Sequence, residues 1–91
     1  MSSRLDDLTA WRIFVTFAKV GTISGCAQAL DLEPSTISRA ISSLEKGIGQ
    51  SLIVHHSRPM ELTKAGKKAL ARIQPILRTH QQLIESLTAD A

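Results

Sequence analysis

Cysteine, aromatic residues and long apolar segments are all scarce in this sequence. Cys26 is the only cysteine, which excludes an internal disulfide and a cysteine-rich metal site. One tryptophan, two phenylalanines and no tyrosine provide too few rings for the stacking surfaces that bind single-stranded nucleic acids. Neither a signal peptide nor an apolar run long enough to cross a membrane is visible. We therefore expect a soluble, cytoplasmic protein with no metal and no other cofactor.

The chain is short, and its length limits what it can do alone. Ninety-one residues suffice for one small domain, and a domain of this size buries only roughly 60% of the surface of its unfolded chain. Since no disulfide adds stability, we expect oligomerisation to contribute it. Paired acids with a histidine, a glycine-rich phosphate loop and an activated nucleophile are all missing, so an enzyme is not expected.

Basic residues are concentrated in the middle of the chain. Between Pro34 and Arg78 there are eight lysines and arginines but only two acids, Glu45 and Glu61, which gives a local charge of +6. The whole chain carries only +3, so both ends are mildly acidic. A basic centre with acidic flanks is typical of nucleic-acid-binding proteins, although an ordinary solvated basic surface gives the same bias.

The spacing of apolar residues is helical over most of the chain. Asp6 and Asp7 suit the start of a first helix and Gly21 its end, while Thr22 and Pro34 suit the starts of the next two. Two short apolar segments further on are typical of a β-hairpin. The predicted elements are helices over 8–20, 23–30 and 34 to about 48, strands over 52–54 and 60–62, and a last helix capped by Thr63 that reaches about Leu87.

The first predicted helix is apolar over more than half its circumference, which indicates that it is covered on two sides. Leu8, Trp11 and Phe14 belong to one apolar stripe, and Ile13 and Phe17 to a second stripe beside it. The second cover is expected to be the long last helix, either of the same chain or of a partner.

The last helix carries apolar residues at alternating steps of three and four, which is typical of a coiled coil. So long a helix has little of its own domain to pack against, so we expect it to pair with a second copy. His80 is either a polar marker of register or a solvated edge residue, and the sequence fits both. Pro75 removes one backbone hydrogen bond and is expected to bend the helix. The predicted dimerisation seam consists of Leu70, Ile73, Leu77, His80, Ile84 and Leu87.

The third helix has one aliphatic face and one small, polar, basic face. The aliphatic residues fall within an arc of roughly 100° and are predicted to be buried: Ile37, Ala40, Ile41, Leu44 and Ile48. The opposite side carries Ser35, Ser38, Arg39, Ser42 and Lys46. Solvated helix faces usually carry better helix formers than serine, so three serines here favour contact with a DNA major groove over simple exposure to solvent.

Several segments together resemble the N-terminal domain of LysR-type transcriptional regulators. The segments 8–15, 21–30 and 34–45 are similar to that family in sequence and in spacing. Leu52 with Arg58, and the segment 62–66, resemble its wing and the start of its linker helix. The resemblance covers nearly the whole chain. It implies a mostly α, winged helix-turn-helix domain over 5–62, followed by a dimerisation helix over 63–91.

The resemblance also implies a function and a set of site residues. A homodimer is expected to bind a partly palindromic promoter site on double-stranded DNA, with the third helix in the major groove and the wing at the minor groove. Arg58 matches the wing arginine, and Thr22 and Ser24 match small polar positions that meet phosphate. The recognition segment is matched by Pro34, Ser35, Thr36, Ser38 and Arg39.

Three positions depart from the family pattern. Glu33 stands where serine or threonine usually caps the recognition helix, and its carboxylate caps poorly and repels phosphate. Ile53 replaces a usual phenylalanine, and His55 replaces a usual arginine. We therefore expect a less basic wing, with phosphate contact that is weaker or sensitive to pH.

Two further features have simpler structural interpretations. Cys26 lies on a helix of small residues and is interpreted as a packing residue rather than a redox sensor. His55 and His56 are adjacent and have no third ligand at a suitable spacing, so they are interpreted as loop residues near DNA or solvent rather than as metal ligands. The alternative to a DNA-binding protein is a helical module that dimerises or binds other proteins without touching DNA.

Overall fold

The fold is built from four helices and one short hairpin. A computed structural model describes residues 7–55, 57 and 60–89. The prediction of the elements is confirmed, with each strand one residue shorter at its start and the last helix two residues longer at its end. No helix among the described residues has the length and apolar character needed to cross a membrane. The elements are α1 Leu8–Val20, α2 Ile23–Leu30, α3 Pro34–Ile48, β1 Ile53–Val54, β2 Glu61–Leu62 and α4 Lys64–Ala89.

Local capping interactions set the ends of the first two helices. The Asp7 carboxylate accepts a hydrogen bond from the Thr9 N–H at 2.9 Å, which satisfies a donor at the start of α1. Gly21 ends α1 with a left-handed backbone, φ 87°. The Thr22 hydroxyl then accepts from the Gly25 N–H at 3.0 Å. The predicted roles of Gly21 and Thr22 are therefore confirmed.

The turn between α2 and α3 depends on residues that tolerate unusual backbone. Asp31 has a left-handed conformation, φ 55°, which aspartate adopts more readily than most residues. The Leu32 N–H then donates to the Ala27 carbonyl at 2.9 Å. Glu33 precedes α3 without any side-chain capping bond, and Pro34 opens the helix. The expectation that Glu33 would be a poor cap is confirmed, and α3 depends on Pro34 for its start.

The core lies where α1, α2 and α3 meet, and the start of the hairpin closes it. Trp11 packs edge-on against Phe14, with ring centroids 6.0 Å apart. Small residues on α2 let the other helices approach closely, since both Cys26 and Ala27 are buried. The largest fully buried side chains are Phe14, Ile37, Leu44, Leu52 and Cys26.

The hairpin joins α4 through a tight set of backbone contacts. β1 and β2 pair antiparallel, with Ile53 opposite Leu62. The Thr63 N–H donates to the Leu52 carbonyl at 3.1 Å, and its hydroxyl donates to the Ser51 carbonyl at 2.6 Å while accepting from the Gly66 N–H at 3.0 Å. The prediction that Thr63 caps α4 is confirmed. The same residue also fixes the base of the hairpin.

The first half of α4 packs against α1 of its own chain. Ile73 is buried there, and Ala69 and Leu70 pack against the main core. Further along, the Arg12 guanidinium donates to Nδ1 of His80 at 2.7 Å. The second cover of α1 is therefore the same chain's own helix. The expectation that α4 has little of its own domain to pack against is wrong for this half of the helix, because α1 offers it an apolar stripe.

We predict that Gly66→Ala destabilises the fold strongly. An added methyl group at Gly66 would overlap the backbone carbonyl of Leu52, and a backbone atom cannot rotate away as a side chain does. The free energy of unfolding, measured by urea titration with circular dichroism, should fall by about 3 kcal/mol. Gly47→Ala, at an exposed position of α3, is the control and should raise stability by up to about 1 kcal/mol. Equal stability of the two variants would contradict the close contact.

Candidate nucleic-acid interface

The two faces of α3 are separated by burial. Ile37, Ala40, Ile41 and Leu44 are at most 3% exposed, and Ile48 is half-buried. The prediction of the aliphatic face is thus confirmed, with Ile48 at its edge. Five polar residues on the other side are all exposed: Ser35, Ser38, Arg39, Ser42 and Lys46. We call these five residues the recognition face.

Residues at the starts of α2 and α3 border the recognition face in sequence. Pro34 is exposed and Thr36 is half-buried. Thr22 and Ser24 are both exposed at the start of α2. The Thr22 hydroxyl accepts from Gly25 in its capping bond, and a hydroxyl retains a proton to donate to a second group. Both helices of the helix-turn-helix therefore present small or hydroxyl-bearing residues to solvent at their N-termini.

The hairpin is described only in part. Val54 and His55 are exposed at the end of β1. Arg58, the predicted wing arginine, lies outside the described residues, as do His56 and Pro59. The role predicted for Arg58 therefore stays a prediction, and so does the interpretation of His56.

A shallow, open cleft lies between α3 and the hairpin. Lys46 and Ser42 of the recognition face line one side, and Ser51 and His55 line the other. Glu45 lies at the bottom, with its side chain only 14% exposed. Its Oε2 accepts from the N–H groups of Leu52 and Ile53 at 2.8 and 3.3 Å. His55 Nε2 is 3.1 Å from Oε1 of the same carboxylate.

Sequence reasoning counted Glu45 only as a charge and missed its contacts. A signal was available, because Glu45 follows the buried Leu44 and thus sits at the margin of the aliphatic face. A carboxylate in that position needs donors, since burying an unpaired charge is costly. Its donors come from the hairpin, whose position relative to α3 no sequence period reveals.

Cys26 fills a position in the core. It is fully buried, and its thiol points to the Ile13 carbonyl, with Sγ 3.7 Å from the oxygen. Burial raises the pKa of the Cys26 thiol above its ordinary value, because the thiolate would lose its hydration. Within the described part of the chain, no three histidine, cysteine or acidic side chains are grouped as metal ligands. The interpretation of Cys26 as a packing residue fits this environment.

The predicted dimerisation seam of α4 divides into two halves. Ile73 is buried within its own chain, Leu70 and Leu77 are half-buried, and His80 is bonded to Arg12. Beyond His80 the helix is exposed along its whole length. The exposed large apolar residues of α4 are Ile76, Leu83, Ile84 and Leu87, with exposed fractions of 47–62%. We call these four residues the distal apolar surface.

Solved structures share this arrangement of helices and hairpin. The chain superimposes on the BenM_DBD/benA site 1 DNA complex with a TM-score of 0.85 at 25% identity, over 93% of this chain and 99% of that one. A Corynebacterium glutamicum OxyR C206 mutant gives a TM-score of 0.84 at 28% identity, over 90% of this chain and 26% of that one. The fold is therefore a winged helix-turn-helix, as the sequence predicted.

Comparison of sequences identifies the family. The sequence model described as "Bacterial regulatory helix-turn-helix protein, lysR family" matches residues 8–67. The probable HTH-type transcriptional regulator SinR of Salmonella typhimurium is 38% identical over 77 residues, which are 85% of this chain and 24% of SinR. The HTH-type transcriptional activator IlvY of the same organism is 36% identical over 81 residues, which are 89% of this chain and 28% of IlvY. The chain belongs to the LysR family of bacterial regulatory helix-turn-helix proteins, and it spans about a quarter of the length of these curated relatives.

We predict that the Cys26 thiol does not react while the protein is folded. The side chain is fully buried and its pKa is raised by burial, so neither access nor thiolate is available to a reagent. An aromatic disulfide reagent at pH 8 should label it only after urea is added. Ser86→Cys, which adds a thiol at an exposed position of α4, should react at once and serves as the control. Rapid labelling of native wild-type protein would contradict the packing role.

Proposed function

We propose that this chain is the sequence-specific DNA-binding part of a transcriptional regulator and acts on double-stranded DNA. The observation that carries the proposal is the recognition face, a row of hydroxyls and cations exposed opposite a fully packed aliphatic face. The chain resembles, at a TM-score of 0.85, a DNA-binding domain that was solved in complex with DNA. Because the family is bacterial and bacterial DNA lies in the cytoplasm, the proposal includes action there.

The recognition face fits the major groove in size and chemistry. A major groove admits an α-helix, and small side chains let that helix approach the base edges. Arg39 is the candidate for paired hydrogen bonds to guanine, and Ser38 and Ser42 for single bonds to bases or phosphates. Lys46, nearer the end of α3, is a candidate for a phosphate. Packing of the aliphatic face holds these groups on a rigid element.

The flanking elements complete the proposed contact. Thr22 and Ser24 at the start of α2 are assigned to phosphates, which helix N-termini and hydroxyls commonly bind. Pro34, Ser35 and Thr36 place the first turn of α3 toward the bases. Arg58 is assigned to the minor groove, where an arginine reads groove width and negative potential.

A second copy of the chain is the proposed partner of α4. The distal apolar surface exposes more aliphatic side chains to water than the end of an isolated helix would be expected to. Pairing with the same surface of a second copy would bury these side chains. We assign Ile84 and Leu87 to this contact directly. Leu70, Ile73, Leu77 and His80 support it by holding α4 on α1. A homodimer then fits a partly palindromic site whose halves lie about one helical turn, roughly 34 Å, apart or a multiple of it.

Selection followed by salt titration tests the proposed function. Duplexes bound from a random pool should share one partly palindromic sequence. On that sequence log Kd should rise linearly with log salt, with a slope near one unit for each phosphate contacted. Binding that selects no sequence and does not respond to salt would instead support a protein-interaction module without DNA binding.

We predict that Arg39→Ala weakens binding to the selected duplex by about 1–3 kcal/mol and relaxes preference at one base position. The guanidinium supplies paired hydrogen bonds that alanine cannot replace. Fluorescence anisotropy on the selected duplex and on single-base variants measures both effects. Arg78→Ala, the same substitution at an exposed position of α4, should change neither. An equal loss of affinity on every duplex would mean that Arg39 contacts a phosphate and not a base.

We predict that Leu87→Glu produces monomers at concentrations where the wild-type chain is a dimer. Leu87 is 62% exposed in the single chain, so a carboxylate there costs the monomer little but would place a charge in the apolar contact. Leu87 is a cleaner probe than Leu77, which is half-buried within its own chain. Sedimentation velocity measures the mass, and Ser86→Glu is the matched control at the next, exposed position. If both variants stay dimeric, the distal apolar surface is not the dimer contact.

A further inference from the structure

One carboxylate connects α3 to the base of the hairpin. Oε2 of Glu45 accepts from the Leu52 and Ile53 N–H groups at 2.8 and 3.3 Å, and His55 Nε2 is 3.1 and 3.3 Å from its two oxygens. The acceptor therefore lies on the helix that carries the recognition face. All three donors lie in the segment 52–55, which contains β1 and leads into the wing.

The opposite side of the same backbone segment is held by α4. The Leu52 carbonyl accepts from the Thr63 N–H, and Gly66 packs so closely on that carbonyl that a side chain would not fit. Leu52 is 1% exposed and Ile53 is 8% exposed, so their backbone donors have little access to water. Loss of the Glu45 acceptor would leave two such donors unpaired, which is costly, and would leave β1 held from the α4 side alone.

We propose that Glu45 is a positioning residue that fixes the base of the hairpin, residues 52–55, relative to the recognition face, and that His55 makes this hold stronger when its imidazole is charged. The proposal rests on the proposed function, since the wing is taken to contact DNA. A neutral imidazole with its proton on Nε2 donates a hydrogen bond to the Glu45 carboxylate. A charged imidazole donates the same bond and adds the attraction of an ion pair.

The charged groups near His55 determine the sign of the effect. Among the described residues that line this cleft, Glu45 and Lys46 of α3 are the charged ones, and Ser42 and Ser51 are neutral. The Glu45 carboxylate makes direct contact with the imidazole, and Lys46 lines the same cleft. Histidine changes its charge between pH 5 and 8. Protonation of the imidazole therefore adds an ion pair to the bonds already made to Glu45, and this added hold is lost when the proton leaves.

The exposure of the His55 side chain limits how much its charge can change the affinity for DNA. His55 is 50% exposed, so solvent screens the pair and the gain is that of a surface ion pair, about two- to fivefold in affinity. A histidine that touched a DNA phosphate directly would also give tighter binding at low pH. The two explanations of the pH dependence differ because the hold on the hairpin requires the carboxylate of Glu45, whereas a direct contact between His55 and a phosphate does not.

Binding to the selected duplex from pH 5.5 to 8.0, at constant ionic strength, separates these two explanations. Wild-type protein should lose about two- to fivefold in affinity as pH rises. Glu45→Gln and His55→Gln should each bind more weakly and lose most of this pH dependence, and the double variant should be no worse than Glu45→Gln. His55→Arg, whose side chain is charged over the whole pH range, should bind at every pH as tightly as the wild-type protein binds at pH 5.5. Glu85→Gln, the same change at an exposed site on α4, should keep the wild-type profile.

Amide hydrogen exchange tests the same proposal without DNA. In Glu45→Ala, which removes the acceptor altogether, the Leu52 and Ile53 amides should exchange at least about tenfold faster, while the Ile37 and Ile41 amides inside α3 keep their protection. Unchanged exchange at Leu52 and Ile53 would overturn the positioning role. A full pH dependence that survives in Glu45→Gln would overturn the coupling through His55. If wild-type protein binds no duplex, the proposed function fails, and the exchange rates still decide whether Glu45 holds the hairpin.

Discussion

Burial of the aliphatic face of α3 is the constraint on which the rest of the structure depends. Ile37 and Leu44 are fully buried in the core formed with α1 and α2, so the helix cannot rotate without exposing them. The orientation of Arg39 and its serine neighbours is therefore fixed by side chains on the other side of the helix. Pro34 adds to this by starting the helix without a side-chain cap. The result is a rigid polar surface, and in so small a domain no other element is available to hold that surface rigid.

The packing of α4 on α1 decides between two alternatives that the sequence left open, cover by the same chain and cover by a partner. Each helix has an apolar stripe, and each could be covered by its own chain or by a partner. The 2.7 Å bond between Arg12 and His80 marks where intrachain cover ends, because every residue after His80 in the described part of α4 is exposed. A single helix thus closes the core with its first half and presents the distal apolar surface with its second.

The features that could be predicted from the sequence are those set by interactions between residues close together in the chain. The capping bonds of Gly21, Thr22 and Thr63 join backbone groups at most four residues away, so the helix bounds followed from residue types alone. The two faces of α3 followed from its period. The contact between Arg12 and His80 joins residues 68 apart, and no periodicity encodes which helix covers another. Glu45 was missed for the same reason, since its donors lie across a turn.

The departures from the family pattern gain a physical meaning at these contacts. Glu33 is exposed at the start of α3 and makes no capping bond, so its carboxylate is free to act at the end of the helix nearest the proposed bases. Phosphates repel it, whereas the amino groups of cytosine and adenine are donors that a carboxylate in the major groove can accept from. Near the other end of α3, His55 contacts the Glu45 carboxylate, so an imidazole stands where the family usually has an arginine. Under the proposed function these two departures bear on base selection and on the hold of the hairpin, and neither residue belongs to the buried core that packs α3.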